Sequence, residues 1–517
     1  MKRDATPSVS LRALPANSPN KLVITIILVL ATTMQALDMT IVNVSLPHME
    51  ASLNATQDQI SWVLTSYIVA SAIATPATGW MSARFGRTRL FVISMAGFTV
   101  VSLFCGIAQT LPQMVLFRIL QGVFAASLMP LSQAIMLDTH TREEMGRAMA
   151  IWGMGVMVGP IIGPTLGGFL TDQYNWRWCF YINLPIGVAA VIAALAFIPE
   201  TTRIQDRKFD WFGFAFLSLA LASLQLALDR GEQKEWFASP EIQIETALFV
   251  FGIYMFVVHS MTTKRPFLDP VMFKDRAFVL SLLIAIMIGV VFNGSMVLTP
   301  QLLQTELNYP VVTAGLVMGP RGFGTIAAMM LYGRLSNRLD ARPLVVIGLV
   351  VISLSMYVMS GWSLMVGARE IVTWGIVQGF GMGLVFGPMT ALAFSSLPTY
   401  VRTEASGFYA LMRNMGASVG ISIVVSQLTE FTQSNHAYLG AYMTPFRHMP
   451  PTPGMTGQAA MEMLNFSLTQ QAGMVAYVNV FRLMALLSIV FAPVLIFMRS
   501  TRPQDRPKAE DAAALAH

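Results

Sequence analysis

Apolar stretches long enough to cross a lipid bilayer recur from one end of this chain to the other. Runs such as Leu22–Leu37, Phe278–Val291 and Leu483–Met498 contain almost no ionisable residue. A helix needs about 20 mostly apolar residues to cover roughly 30 Å of hydrocarbon. In that medium only a helix or a closed barrel satisfies its own backbone. Charged residues make up 12% of the 517 and apolar residues 55%, against about 25% charged in a soluble globular domain. So little charge cannot cover a water-facing surface of this size. The fold class expected is all-α and integral to the membrane.

The first apolar run follows a hydrophilic tail, Met1 to Asn20, and exceeds the 7–15 residues typical of a cleaved signal, so it reads as a retained span. Fourteen spans are predicted: 21–46, 59–82, 90–108, 112–136, 144–171, 178–198, 211–229, 242–261, 277–304, 311–333, 343–362, 370–396, 402–428 and 476–498. Short cytoplasmic loops are rich in Lys and Arg. The basic clusters fall in the even-numbered loops and the tails: Arg84-Arg87-Arg89, Arg203-Arg207-Lys208, Lys264-Arg265-Lys274-Arg276, Arg334-Arg338-Arg342 and Arg499-Arg502-Arg506-Lys508. Odd-numbered loops hold few, chiefly Arg177, Arg230, Lys234, Arg369 and Arg447. Both termini are therefore expected in the cytoplasm of a multi-pass inner-membrane protein. The net charge of +6 is a topology signal and not a nucleic-acid footprint. One long outer loop, 429–475, contains Pro450, Pro451 and Pro453 and reads equally as a docking surface or a connector.

Two stretches of the first half recur in the second. Gly79-Trp80-Met81-Ser82-Ala83-Arg84 matches Gly333-Arg334-Leu335-Ser336-Asn337-Arg338, each at the exit of its span. Arg118-Ile119-Leu120-Gln121-Gly122 matches Gly375-Ile376-Val377-Gln378-Gly379, with Pro130 and Pro388 beyond at similar distances. Both offsets are about 255 residues. The chain then divides into a tail (1–20), an N-terminal six-helix bundle (21–199), a linker with two extra spans (200–265), a C-terminal six-helix bundle containing the outer loop (266–499) and a second tail (500–517). Two related bundles around a midplane cavity are how many secondary transporters are built.

These residues also carry a family resemblance. Leu37-Asp38-Met39-Thr40-Ile41-Val42-Asn43-Val44-Ser45-Leu46-Pro47 is similar to the first-helix motif LDxTIVNVALP of the EmrB/QacA group, the fourteen-span drug:proton antiporters of the major facilitator superfamily. Gly79, Arg84, Gly86 and Arg87 match that superfamily's gating-loop motif, with Ala83 at its acidic position. Gln121 and Gly122 resemble the fourth-helix motif. Gly155, Gly159, Pro160, Gly163, Pro164, Gly167 and Gly168 resemble the antiporter motif of span five. The resemblance implies a major facilitator fold, export of small hydrophobic or cationic drugs, a periplasmic adaptor of the EmrA type and an outer-membrane channel of the TolC type. Ala83 removes the usual acidic partner from the gating loop.

Ionisable groups at membrane depth cost about 2.5–3.5 kcal/mol on insertion scales and need partners or a wet cavity. Asp38 lies nine residues before Pro47, and Arg118 about six residues into a span that starts from the same side. At 1.5 Å per residue the two reach similar depth. Asp38 is expected to carry the coupling proton and attract cationic substrate, with Arg118 holding it ionised until a proton competes. The alternative is a structural acid tied to Gln35, Thr40 or Asn43. Arg413, beside Asn414 in span thirteen, reads as a cavity residue or a partner of neighbouring carbonyls. Arg321 and Arg482 read as packing or snorkelling charges, and Asp229 with Arg230 as a surface pair. The 36 Met and 32 Phe could line an adaptable pocket.

No GxxxxGKS/T loop or HExxH is present, so neither an ATP-driven pump nor an enzyme is expected. Cys105 and Cys179 form no framework and read as buried apolar residues. Of the six histidines, His48 alone stands where it could tune a proton path. No metal or cofactor is expected, which leaves an ion gradient as energy source. One charge crossing 100 mV releases about 2.3 kcal/mol, which supports roughly a fortyfold gradient of substrate.

Overall fold

The computed structural model describes residues 19–141, 144–200, 209–263, 266–335, 339–394, 397, 401–442 and 457–493. Both tails, the basic residues at 203, 207, 208, 264, 265 and 338, and the prolines at 450, 451 and 453 lie outside them.

Every regular element among the described residues is helical, and thirteen segments are long and apolar enough to cross a bilayer. In chain order the spans are α1 (Pro19–Ser52), α2 (Trp62–Ala74 and Thr78–Phe85), α3 (Arg87–Ile107), α4 (Leu111–Ala125 and Leu128–Thr139), α5 (Met145–Gln173), α6 (Asn183–Phe197) and α7 (Trp211–Arg230). There follow α8 (Pro240–Thr262), α9 (Arg276–Gln301), α10 (Val311–Met318 and Arg321–Leu335), α11 (Ala341–Met359), α12 (Ala368–Phe394), α13 (Arg402–Ala441) and α14 (Gly457–Val490). The span beyond the thirteen is α2, which a 3-10 turn at Thr75–Ala77 splits into two shorter helices. Pro76 sits in that turn and Pro320 in the break of α10; proline has no N–H to continue the helical ladder.

The stretch 429–475, expected as an outer loop, differs from that expectation. Helix α13 continues to Ala441 and α14 begins at Gly457, so most of 429–475 is a helical hairpin. Polar residues end the apolar window near Gln427, but the two helices go on pairing with each other. Asn435 Nδ2 donates to the Ala472 carbonyl at 3.4 Å, and His436 Nε2 lies 3.2 Å from Asn465 Oδ1.

Packing follows the two halves. α1 lies along α5 in the first, while α9 lies along α13 and α12 packs on α10 and α11 in the second. The halves meet along α5–α10 and where α13 crosses α2 and α4. There Ser406 Oγ donates to Gln133 Oε1 at 2.9 Å, and a Cβ on Gly79 would lie 2.9 Å from Glu404 Cα. Linker helix α7 packs on α2 and α13, and Ser418 Oγ donates to Gln225 Oε1 at 2.8 Å. α8 is covered chiefly by α7 and exposes Ile244, Val250, Phe251, Tyr254 and Met261. The protein is a multi-pass membrane protein.

Candidate functional site

The glycines of α5 set the position of α1. A Cβ on Gly159 would lie 2.6 Å from Leu37 N, and one on Gly167 would lie 2.9 Å from the Ile41 carbonyl oxygen. Gly155 and Gly163 face Val29, Thr33 and Thr40, and Thr33 Oγ1 donates to the Gly155 carbonyl at 2.8 Å. Small residues let two helix backbones approach this closely. Gly168 is buried in the same helix, which runs unbroken through Pro160 and Pro164. The approach presses the middle of α1 into the first bundle.

Asp38 is thereby fully buried, and its partners come from two other helices. Arg118 Nη1 donates to Asp38 Oδ2 at 2.7 Å. Gln121 Nε2 and Asn183 Nδ2 donate to Oδ1 at 3.1 and 2.9 Å. Arg118 is also fully buried; its Nε donates to the Val63 carbonyl at 3.0 Å, and its guanidinium stands 4.2 Å from the centre of the Tyr67 ring. Ser102 Oγ accepts from Asn183 at 3.1 Å, and Cys105 Sγ donates to Gln121 Oε1 at 3.4 Å. A buried pair of this kind persists only when geometry and extra hydrogen bonds offset desolvation.

Two buried atoms in this cluster have no protein hydrogen-bond partner: Arg118 Nη2 and Asn183 Oδ1. Unused donors and acceptors beside a carboxylate are what a relayed proton or a bound water requires. The Asp38–Arg118 pair is the direct side-chain link between α1 and α4 in this cluster.

Asp38 and Arg118 do meet, and Gln121 joins them, whereas the local alternatives do not bond to Asp38. Thr40 Oγ1 bonds to backbone carbonyls at 36, 37 and 159, and Asn43 is exposed. Gly122 packs against the Tyr67 carbonyl, bringing α4 onto α2. Asn183 has no counterpart in the sequence reading; its signal is a lone amide in the apolar segment Cys179–Phe197. Cys105 and Cys179 are buried and free, as expected.

Other residues fall elsewhere. In the gating loop Gly86 takes φ 89°, which a glycine tolerates and which lets α3 start directly after α2. Arg87 is buried in an ion pair with Asp138, Arg84 is exposed, and Ala83 leaves Glu404 as the acid packed against Gly79. Arg230 pairs with Glu241 and not with Asp229, which accepts from Thr65; α8 supplies the nearer acid. Arg321 is buried and does not snorkel, whereas Arg482 is exposed. Arg413 is buried against Met129 and Phe386.

A narrow cavity of about 20 Å³ lies in the second bundle, closed towards the first by Met157 of α5. Met287 and Phe292 of α9 line it with Met382 and Phe386 of α12. Asp38 does not line it in this conformation, so its carboxylate is not presented to a molecule there.

Comparison with known proteins agrees with this architecture. Residues 28–421 match the model of the Major Facilitator Superfamily. The chain is 35% identical over 471 residues to the Multidrug export protein EmrB of Escherichia coli (strain K12), covering 89% of this chain and 90% of that protein. It is 30% identical over 482 residues to the Fatty acid resistance protein FarB of Neisseria gonorrhoeae, covering 91% and 95%. The crystal structure of the human organic anion transporter MFSD10 superposes with a TM-score of 0.61 at 13% identity, covering 92% of this chain and all of that one. A repeated six-helix architecture, a glycine-packed α1–α5 seam and these matches lead to one conclusion: the chain belongs to the major facilitator superfamily and is an EmrB-like member of it.

Proposed function

We propose that this protein is a proton-coupled multidrug efflux transporter of the bacterial inner membrane, working by alternating access. The observation that carries the reading is the buried Asp38–Arg118 pair. A carboxylate fully buried within a membrane span meets one charged partner among the described residues, the Arg118 guanidinium at 2.7 Å, and in this reading a proton competes with that partner. Export of drugs is supported by the name of the EmrB relative, identical at about a third of positions over nearly the full length. In this reading both termini face the cytoplasm, and the α13–α14 hairpin projects outward towards a periplasmic adaptor of the EmrA type feeding an outer-membrane channel of the TolC type. The halves rock along the α5–α10 seam as Asp38 gains and loses its proton.

A second reading is export of one dedicated substrate, favoured by the fatty acid resistance relative. Inverted membrane vesicles with an imposed pH gradient test both. Saturable, uncoupler-sensitive accumulation of several unrelated hydrophobic dyes, lost in Asp38→Asn, supports the multidrug reading. Accumulation of one compound class alone supports the second, and none at all refutes transport.

A further inference from the structure

The two bundles hold their buried arginines differently. In the first, Arg118 is neutralised by Asp38. In the second, Arg321 and Arg413 are 5% and 9% exposed, and neither meets a carboxylate among the described residues. Arg321 Nη2 donates to Ser295 Oγ at 2.7 Å and lies 3.4 Å from Met382 Sδ. Arg413 Nη2 lies 2.6 Å from Met129 Sδ, and its guanidinium stands 5.3 Å from the centre of the Phe386 ring. The missing acid is visible in the sequence: α9, which packs along α13 as α1 packs along α5, carries no Asp or Glu from Arg276 to Gln301. The Asn293 amide is spent on the Gly289 carbonyl at 3.2 Å. Arginine does not shed its proton in a protein, so two uncompensated charges remain in a low-dielectric interior.

Both charges converge on one place. Met382 and Phe386 are one turn apart on α12, and both line the cavity of the second bundle. The rest of its wall is apolar and rich in methionine, which adapts to varied shapes. Met129, which caps Arg413, belongs to the opposite bundle, so parting of the bundles uncovers the guanidinium. Asp38, by contrast, stays behind Arg118 inside the first bundle.

Resting on the transport function proposed above, we infer that Arg321 and Arg413 form an anion-recognition site and that the preferred cargo is an amphiphile with an anionic head and an apolar body. A carboxylate or sulfonate accepts the guanidinium forks, and the methionine wall takes the apolar part.

The test uses the full chain in proteoliposomes under an imposed pH gradient, with three competitors of dye transport that share one alkyl body: dodecanesulfonate, dodecanol and dodecyltrimethylammonium. The sulfonate is expected to compete at about tenfold lower concentration than the ammonium. Arg321→Gln and Arg413→Gln are each expected to weaken it by about tenfold, the worth of one charge-assisted contact. Arg321→Lys and Arg413→Lys are expected to keep most of its effect. An ammonium that competes as well as the sulfonate, with transport intact, overturns the anion site and leaves transport standing. Wild-type protein that moves no dye defeats the transport reading instead. Should a Gln variant fail to fold, wild-type thermal stability decides: the sulfonate must raise Tm more than the ammonium, and the reverse order refutes the site. Inorganic sulfate and vesicles containing phosphatidylglycerol separate cargo from a free anion or a lipid headgroup. If either abolishes sulfonate competition, the arginines serve that ligand and the cargo assignment fails.

Discussion

Asp38→Asn keeps the shape of the side chain and removes its charge, which isolates what the carboxylate does. In the folded protein the carboxylate accepts from Arg118 at 2.7 Å, Asn183 at 2.9 Å and Gln121 at 3.1 Å. An asparagine oxygen can keep the two amide bonds, but its NH₂ then faces the Arg118 guanidinium, donor against donor. Removing one partner of a buried pair costs about 3–5 kcal/mol, because the other charge stays buried. Replacing both by neutral groups is far milder, so Asp38→Asn with Arg118→Gln is expected to recover most of that loss. Transport separates from stability here: neither variant has a proton-binding carboxylate, so both are expected to lose gradient-driven dye efflux. Thermal denaturation in detergent and dye flux in proteoliposomes measure the two quantities on the same samples. Wild-type coupled efflux by Asp38→Asn would refute the proton-carrier role. A double variant no more stable than the single one would refute the charge-isolation argument.

Gly159→Ala places a methyl 2.6 Å from the Leu37 backbone nitrogen, where no side chain can yield; overpacking of about 1–3 kcal/mol and loss of efflux are expected, and an unchanged Tm refutes the seam. Asn183→Ala removes one donor from a buried carboxylate and is expected to lower stability by about 1.5–3 kcal/mol in denaturation measurements; a neutral result would place Asp38 elsewhere. Acid sensitivity follows from two groups at the ends of α4 and α5. Burial pushes the His140 imidazole below its usual value, and the bond from Lys21 holds Glu144 below the usual carboxylate range. Both groups bind protons more readily in the unfolded chain, so their stabilisation is full above about pH 6.5. It falls first as His140 protonates and then, near and below about pH 4.5, as Glu144 does. A Tm series from pH 7.5 to 4 checks this, with Lys21→Met expected to flatten its acid end; a Tm that rises on acidification contradicts it.

The fourteen spans were legible in the sequence because the lipid acts on composition: a window of about 20 apolar residues has one stable form there. The pairing of Asp38 with Arg118 was legible in depth, since a fixed rise per residue places both at one level. The glycine run of α5 was legible as a close-packing surface. What the sequence could not supply is the rotation of each helix about its own axis. In a soluble protein an apolar stripe marks the inward face. Here the outward face is apolar as well, as Leu22, Ile192 and Leu195 show. Rotation alone decides that Asn183 completes the Asp38 cluster, that Arg230 turns to Glu241 and away from Asp229, and that Met382 and Phe386, out of many Met and Phe, line the cavity. The facing ends of α13 and α14 escaped for the opposite reason: past the apolar window the helices are held by each other, and composition no longer marks where they end. Sequence alone thus determined the span count and which spans carry a charge; tertiary packing decided which buried charges meet a carboxylate and which, among the described residues, do not.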